Sequence, residues 1–272
     1  KENYRAIQEL VEATADHKVM TSIGLISMKD LTTSHKIMIK SGEGKFNDND
    51  TLPFDVINKY IGKNGHSYSY NFPTTWSKEL GQILGWLVGD GWLRDKDGEI
   101  RTGFVFGKDD LEVMHYLKPI INHFYGREMN EVKRENGVYH LGYGAKLFVD
   151  YLKNLGVKVS GKAEDKEVPE TLFTAPKEAV IGFLQGLFSA DGTVRDNPKS
   201  NSSWIALSSK SKNLLHDVQL LLINLGIKSK IYNRSRPPRE NVFNYTNKKG
   251  ELKEYACDGV LFELALFGEN RE

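Results

Sequence analysis

Cysteine is nearly absent from this sequence. Cys257 is the single one in 272 residues, so no internal disulfide can staple the fold, and the cytosol is the default compartment. Long apolar runs are missing too. Nothing approaches the ~18–20 consecutive apolar residues that a bilayer span requires. No stretch reads as a signal peptide, so the expectation is a cytoplasmic or nucleoid-associated chain, not secreted, with no membrane partner. The seven histidines are scattered without paired spacing, and with one cysteine a structural zinc site is disfavoured. Net charge is almost absent as well, at +1. What remains is an ordinary balance of 39% apolar and 27% charged residues, enough to bury the core of one large domain or two of common size.

The small net charge hides an asymmetry. Residues 1–75 carry nine basic and nine acidic groups. Residues 193–239 hold Arg195, Lys199, Lys210, Lys212, Lys228, Lys230, Arg234, Arg236 and Arg239 against only Asp196 and Asp217, a surplus of seven (9 − 2). Such a run is either a solvated face or an attractor of a polyanion such as nucleic acid.

Along the chain, residues 1–50 read as short strands, in "RAIQELVEAT", "KVMTS" and "HKIMIKS". Residues 51–75, polar and aromatic with Pro53 and Pro73, read as a linker with one short helix at 55–61. From 76 onward the chain repeats itself. Leu80, Ile83, Leu84, Leu87 and Val88 mark one face of a helix at about 77–89, and Val180, Phe183, Leu184, Leu187 and Phe188 mark another at about 177–190. Each is followed by a strand-like run ("RTGFVFG", "SWIALSS"), by a helix (about 109–124 and 211–225) closed by Gly126 or Gly226, and by a hairpin. The hairpin turns are read at Asn136-Gly137 and Asp258-Gly259. An insert of about 20 residues, with Pro237-Pro238 and "NKKG", precedes the second hairpin. The first copy (76–170) goes on to a helix at "AKLFVDYLKNLG"; the second (171–272) reaches Glu272 before the matching helix.

Each leading helix carries a second stripe at spacing four: Gly81, Gly85 and Gly89 in one, Gly182, Gly186 and Ala190 in the other. Helical glycine costs roughly 1 kcal/mol relative to alanine. Close contact between two helix backbones is the best reason for such a stripe. Pairing the stripes makes a pseudo-twofold core and brings Asp90 and Asp191, each followed by glycine, together at the helix ends. Two like charges at the negative ends of two helix dipoles repel. A divalent cation resolves the conflict, and carboxylates with helix-terminal carbonyls and water suit Mg²⁺ or Mn²⁺. Two acids with metal are the parts needed for phosphodiester hydrolysis.

"ILGWLVGDG" (83–91) and "LQGLFSADG" (184–192) resemble the two motifs of the LAGLIDADG homing endonucleases, and the order of helices and strands over 76–272 is similar to theirs. The resemblance implies an α+β fold of two pseudo-symmetric α-β-β-α-β-β-α repeats with saddle-shaped antiparallel sheets. It implies that Asp90 and Asp191 are catalytic metal ligands and that Gly89 and Ala190 offer their carbonyls to metal. Members of the intein type place a lysine two residues before a hydrophobic-Pro pair. "DKEVPETLF" carries that pattern at Lys166, with Lys162 the weaker match. The stretch "ATADHKVMTSIGLISMKDL" resembles the intein block around a Thr-x-x-His motif, here Thr14 and His17. This implies the interior of an intein with part of a splicing (Hint-like) β domain, starting at Lys1 rather than at a Cys or Ser nucleophile and ending at Glu272 rather than at His-Asn.

The strands after each motif are the expected DNA contacts, since a curved antiparallel sheet can lie in the major groove. Candidates are Arg94, Arg101, Lys108, Lys133, Arg134, Arg195, Lys210, Lys230, Arg234, Arg236 and Arg239. The function expected is site-specific double-strand DNA cleavage by a monomer. The alternatives are a LAGLIDADG fold kept for nucleic-acid binding, as in RNA maturases, and a splicing element with a decayed endonuclease.

Overall fold

The computed structural model describes residues 13–38, 42–62, 65–96, 98–159, 161–197, 202–246 and 252–267. The first strands form an antiparallel hairpin of β1 (Lys18–Thr21) and β2 (Gly24–Ser27). Gly24 takes φ +116 at the turn, a conformation that side chains disfavour. Most of the expected strand at "RAIQELVEAT" lies outside the described residues, as does the "NKKG" segment at 247–250.

The helix expected at 55–61 is not formed. Instead β3 (Lys59–Ile61) pairs with β4 (Ser67–Ser69), and Tyr60 stands opposite Tyr68 with ring centroids 6.3 Å apart. A seven-residue helix is too short to repay its nucleation, whereas cross-strand aromatic pairing stabilises a hairpin directly. The stretch read as a linker does not run free. Leu52, Phe72 and Trp76 are buried, and Phe72 stacks on Phe148 and Tyr151.

The repeat then unfolds as expected. The first copy is α1 (Lys78–Asp90), β5 (Gly91–Lys96), β6 (Glu99–Phe106), α2 (Leu111–Tyr125), β7 (Val132–Lys133), β8 (Tyr139–Tyr143) and α3 (Lys146–Asn154). The second is α4 (Lys177–Asp191), β9 (Gly192–Asn197), β10 (Ser202–Ser209), α5 (Lys212–Asn224), β11 (Lys230–Asn233), β12 (Arg239–Thr246), β13 (Leu252–Cys257) and β14 (Phe262–Leu266). The fold is α+β with antiparallel sheets. One has strand order β5-β6-β8-β7 and the other β9-β10-β14-β11, the same topology in both copies.

The 20-residue insert sits elsewhere than its turn signals place it. β11 pairs with β14, and the insert lies between these two partners rather than before them. It carries a hairpin of its own, β12 with β13. Asp258-Gly259 is therefore not a two-residue turn between adjacent strands. It leads from the insert back to β14, with Gly259 at φ +75 and its carbonyl accepting from the Arg236 amide at 2.8 Å.

Each sheet turns one face to the helices. Phe104, Phe106, Leu141 and Tyr143 in the first sheet and Leu207, Ile231 and Leu264 in the second are almost wholly buried there. Full burial of such side chains contributes about 1.5–3 kcal/mol each. The other face carries the alternate residues, among them Trp92, Arg94 and Arg101 in the first sheet.

Candidate active site

The two leading helices touch through their backbones. A Cβ placed on Gly81 would stand 2.2 Å from the Ala179 carbonyl oxygen, and one on Gly182 would stand 2.1 Å from that of Lys78. The next pair repeats the pattern: Gly85 faces the Phe183 carbonyl at 2.1 Å and Gly186 faces the Gln82 carbonyl at 2.2 Å. Each contact maps onto its partner by adding 101 (81 to 182, 78 to 179; 85 to 186, 82 to 183). That is a pseudo-twofold axis between α1 and α4. A side chain at any of these four glycines would force the helices apart.

The helix ends explain the Asp-Gly pairs. Gly91 and Gly192 leave the helix directly into a strand, with φ −124 and −80. A Cβ at Gly91 would meet the Leu87 carbonyl at 2.6 Å, and one at Gly192 the Phe188 carbonyl at 2.3 Å. The glycines let the chain turn tightly against its own last helical turn, and the carboxylates occupy the last helical position. Between them Gly89 abuts Ala190. A Cβ on Gly89 would lie 2.5 Å from the Ala190 Cβ and 3.5 Å from Asp191 Oδ2.

The electrostatics follow from that approach. Asp90 is raised from 3.8 to about 6, by burial first and by the Asp191 charge second, with Lys166 opposing and Asp110 adding to the rise. Burial also raises Asp191, again against Lys166. Lys166 is thus the cation that both carboxylates feel. Its ammonium donates to the Gly89 carbonyl at 2.5 Å, so it sits at the mouth of the helix pair.

The loop that carries Lys166 is tied down at both sides. Its own carbonyl accepts from the Ser211 hydroxyl at 2.6 Å, and Ser211, itself buried, also caps α5 through the Leu214 amide at 3.1 Å. Val168 is buried and its amide donates to Asp217 Oδ2 at 3.3 Å. Lys162 lies elsewhere: it is exposed and faces Glu164 at 3.5 Å. A sequence scan has no means of finding Ser211, Asp217 or Asp110. They act on the site through long-range contact or field, without a motif of their own.

A divalent cation fits the donor set. Two half-buried carboxylates that repel each other, beside helix-terminal carbonyls, offer only hard oxygen ligands. Among the described residues no three carboxylate, histidine or cysteine side chains cluster. Water or substrate oxygen must therefore complete the shell, as Mg²⁺ and Mn²⁺ tolerate.

The expected DNA contacts divide by geometry. Arg94 and Arg101 lie over the Trp92 ring, at 4.7 and 5.9 Å from its centroid, and Arg94 also pairs with Glu99 at 2.9 Å. Lys133 lies over the Tyr139 ring at 5.5 Å. Lys108, Arg134, Lys230, Arg236 and Arg239 are exposed. Lys210 is held by Asp258 at 2.9 Å, and Arg195 and Arg234 share Glu263 at 3.3 and 2.7 Å. Thr14 and His17 stand at an exposed turn before β1, with the His17 amide donating to the Thr14 carbonyl at 3.0 Å.

Among curated proteins the chain is similar to glutamine–fructose-6-phosphate aminotransferase of Methanocaldococcus jannaschii, 27% identical over 65% of this chain and 15% of that protein. It is 25% identical to the ribonucleoside-diphosphate reductase NrdEB subunit alpha of Bacillus subtilis, over 85% of this chain and 20% of that one. A DNA polymerase of Thermococcus litoralis is 28% identical over 85% of this chain and 13% of its own length. The chain thus spans a fifth or less of each of these three relatives. Among solved structures it is similar to I-DmoI in complex with DNA and Mn, at 17% identity and a TM-score of 0.44 over 70% of this chain and 89% of that one. It is also similar to I-WcaI bound to its DNA recognition sequence, at 15% identity and a TM-score of 0.41 over 72% of this chain and 78% of that one. Residues 178–256, from the first turn of α4 into β13, match the family described as the LAGLIDADG-like domain.

Proposed function

We propose that the chain is a site-specific double-strand DNA endonuclease that hydrolyses phosphodiester bonds with Mg²⁺ or Mn²⁺. The observation that carries this reading is the pair Asp90 and Asp191 at the ends of two helices in backbone contact, with Lys166 set against both. Asp90, Asp191 and the Gly89 and Ala190 carbonyls would hold the metal. When bound, the metal supplies positive charge to the scissile phosphate and an activated water. The helix pair fixes the carboxylates at the dyad, so that each can serve one strand. Lys166 orients water at the site and steadies the negative charge that develops on the leaving oxygen. The outer faces of the two sheets carry the cations that contact DNA.

The relatives add a second element to the proposal. An aminotransferase, a reductase subunit and a DNA polymerase have no common chemistry, and each matches over a small part of its length. An element inserted into unrelated hosts has that pattern. The nuclease is therefore read as carried within an intein, with residues 1–50 as part of its splicing domain and Thr14 and His17 as its splicing motif. Cleavage of a plasmid library bearing randomised targets tests the nuclease. Linear product with Mg²⁺ or Mn²⁺, and none in chelator, is expected; binding without cleavage in either metal contradicts the reading and favours a binding protein.

A further inference from the structure

Strand register makes the outer faces of the two sheets directly comparable. Gly91 pairs with Phe104 and Phe104 with Leu141; Gly192 pairs with Leu207 and Leu207 with Leu264. One step along each third strand brings His140 in the first repeat and Glu263 in the second. His140 lies between Val105 and Val132, and Glu263 between Ser208 and Tyr232. Each repeat carries two arginines at equivalent positions. Arg94 and Arg195 stand three residues after the equivalent glycines, and Arg134 and Arg234 two residues after Val132 and Tyr232. Their backbones agree too: the Arg134 amide donates to the Val138 carbonyl at 2.7 Å and the Arg234 amide to the Leu261 carbonyl at 2.8 Å.

The two repeats fill this common frame differently. Glu263 is only 4% exposed. One of its oxygens accepts from Arg234 Nε at 3.0 Å and Nη2 at 2.7 Å, and the other faces Arg195 Nε at 3.3 Å. Arg195 and Arg234 keep 45% and 25% of their side chains exposed. In the first repeat the centre is His140, whose pKa is lowered by burial and then by Arg134. Arg94 there reaches out to Glu99 at the hairpin end, both about half exposed.

We propose, resting on the DNA-cleaving reading, that Glu263 is a positioning residue that makes the second repeat the sequence-reading half of the DNA interface. A guanidinium held along one edge by a buried carboxylate cannot swing to the nearest phosphate. Its exposed part keeps a fixed plane, as bidentate reading of guanine O6 and N7 demands. The carboxylate also disfavours close approach of a phosphate. Arg94 and Arg134, with no carboxylate at their centre, suit phosphate contacts, which add affinity without reading sequence.

The test uses the full chain and a randomised double-stranded DNA pool, with selection of preferred sites followed by binding across a salt series. Glu263→Gln preserves the volume, Glu263→Ala removes the group, and His140→Glu transplants the carboxylate into the first repeat. With Glu263→Ala, binding to unselected DNA should tighten and the slope of log K against log salt should steepen by about one to two units. Discrimination in the half-site under the second repeat should fall roughly tenfold or more per guanine position. Glu263→Gln should lie between, and His140→Glu should flatten the slope. Melting temperatures report folding separately, and His140→Glu keeps the test decisive where Glu263→Ala unfolds. If wild type selects a site but Glu263→Gln and His140→Glu leave slope and preference unchanged, the inference is overturned and the DNA reading stands. If wild type selects no DNA, the DNA reading itself fails, and the inference with it.

Discussion

Asp90 is a charge that its surroundings resist. Its carboxyl titrates at about 6 in the fold against 3.8 ordinarily, so between those values the folded chain binds more protons than the unfolded one. Stability contributed at this residue therefore falls as pH rises from about 4 to 6 and does not return above it. Asp90→Asn should raise the melting temperature of metal-free protein at pH 7 and leave it nearly unchanged at pH 4. Melts in chelator at both pH values measure this, and an equal effect at both would show that no raised carboxyl is involved. Lys166→Met should lower single-turnover cleavage roughly 100- to 1,000-fold, in the range of losing one transition-state donor, while DNA affinity changes little. Equal losses of cleavage and binding would reduce Lys166 to a DNA contact. Asp90, Asp191 and Lys166 could be singled out as candidates because each carries a local pattern, either Asp-Gly after a glycine stripe or a lysine before Val-Pro. Ser211 and Asp217 were not, because they hold the Lys166 loop across 45 and 49 residues of chain.

The helices were the easiest elements to read, since 3.6-residue periodicity and glycine spacing both survive in a single sequence. The stripes form the interface they implied. Gly85→Leu or Gly186→Leu should cost several kcal/mol, more than the 1–3 kcal/mol of ordinary overpacking, because the obstacle is a backbone carbonyl at 2.1 or 2.2 Å. Chemical denaturation measures it, and an unchanged midpoint would mean that α1 and α4 do not touch there. Strand partners were harder. Residues 55–61 looked helical because short apolar runs lack a decisive period, and only pairing with Ser67–Ser69 settles 59–61 as β3. The turn signal at Asp258-Gly259 was real, but a local signal cannot tell that β11 and β14 pair across an inserted hairpin.

At the scale of the molecule, the charge surplus of residues 193–239 shrinks once the chain is folded. Glu263 and Asp258 lie outside that window in sequence yet hold Arg195, Arg234 and Lys210 in space. Counting charge along a chain misses such partners. The pseudo-twofold arrangement, in contrast, was visible from the repeat, and it makes one demand on the whole protein: two acids, one from each repeat, must share one site. Mg²⁺ or Mn²⁺ should therefore raise the melting temperature of the wild type in a concentration-dependent way, and by less in Asp90→Asn or Asp191→Asn. A shift of the same size in all three would place the cation elsewhere. The most direct test is cleavage of a selected target plasmid by wild type, Asp90→Asn and Asp191→Asn in Mg²⁺, with folding and DNA affinity measured alongside. The account predicts that each single substitution abolishes linear product while affinity and folding are largely kept. Linearisation by either variant at near the wild-type rate would contradict the shared two-acid site.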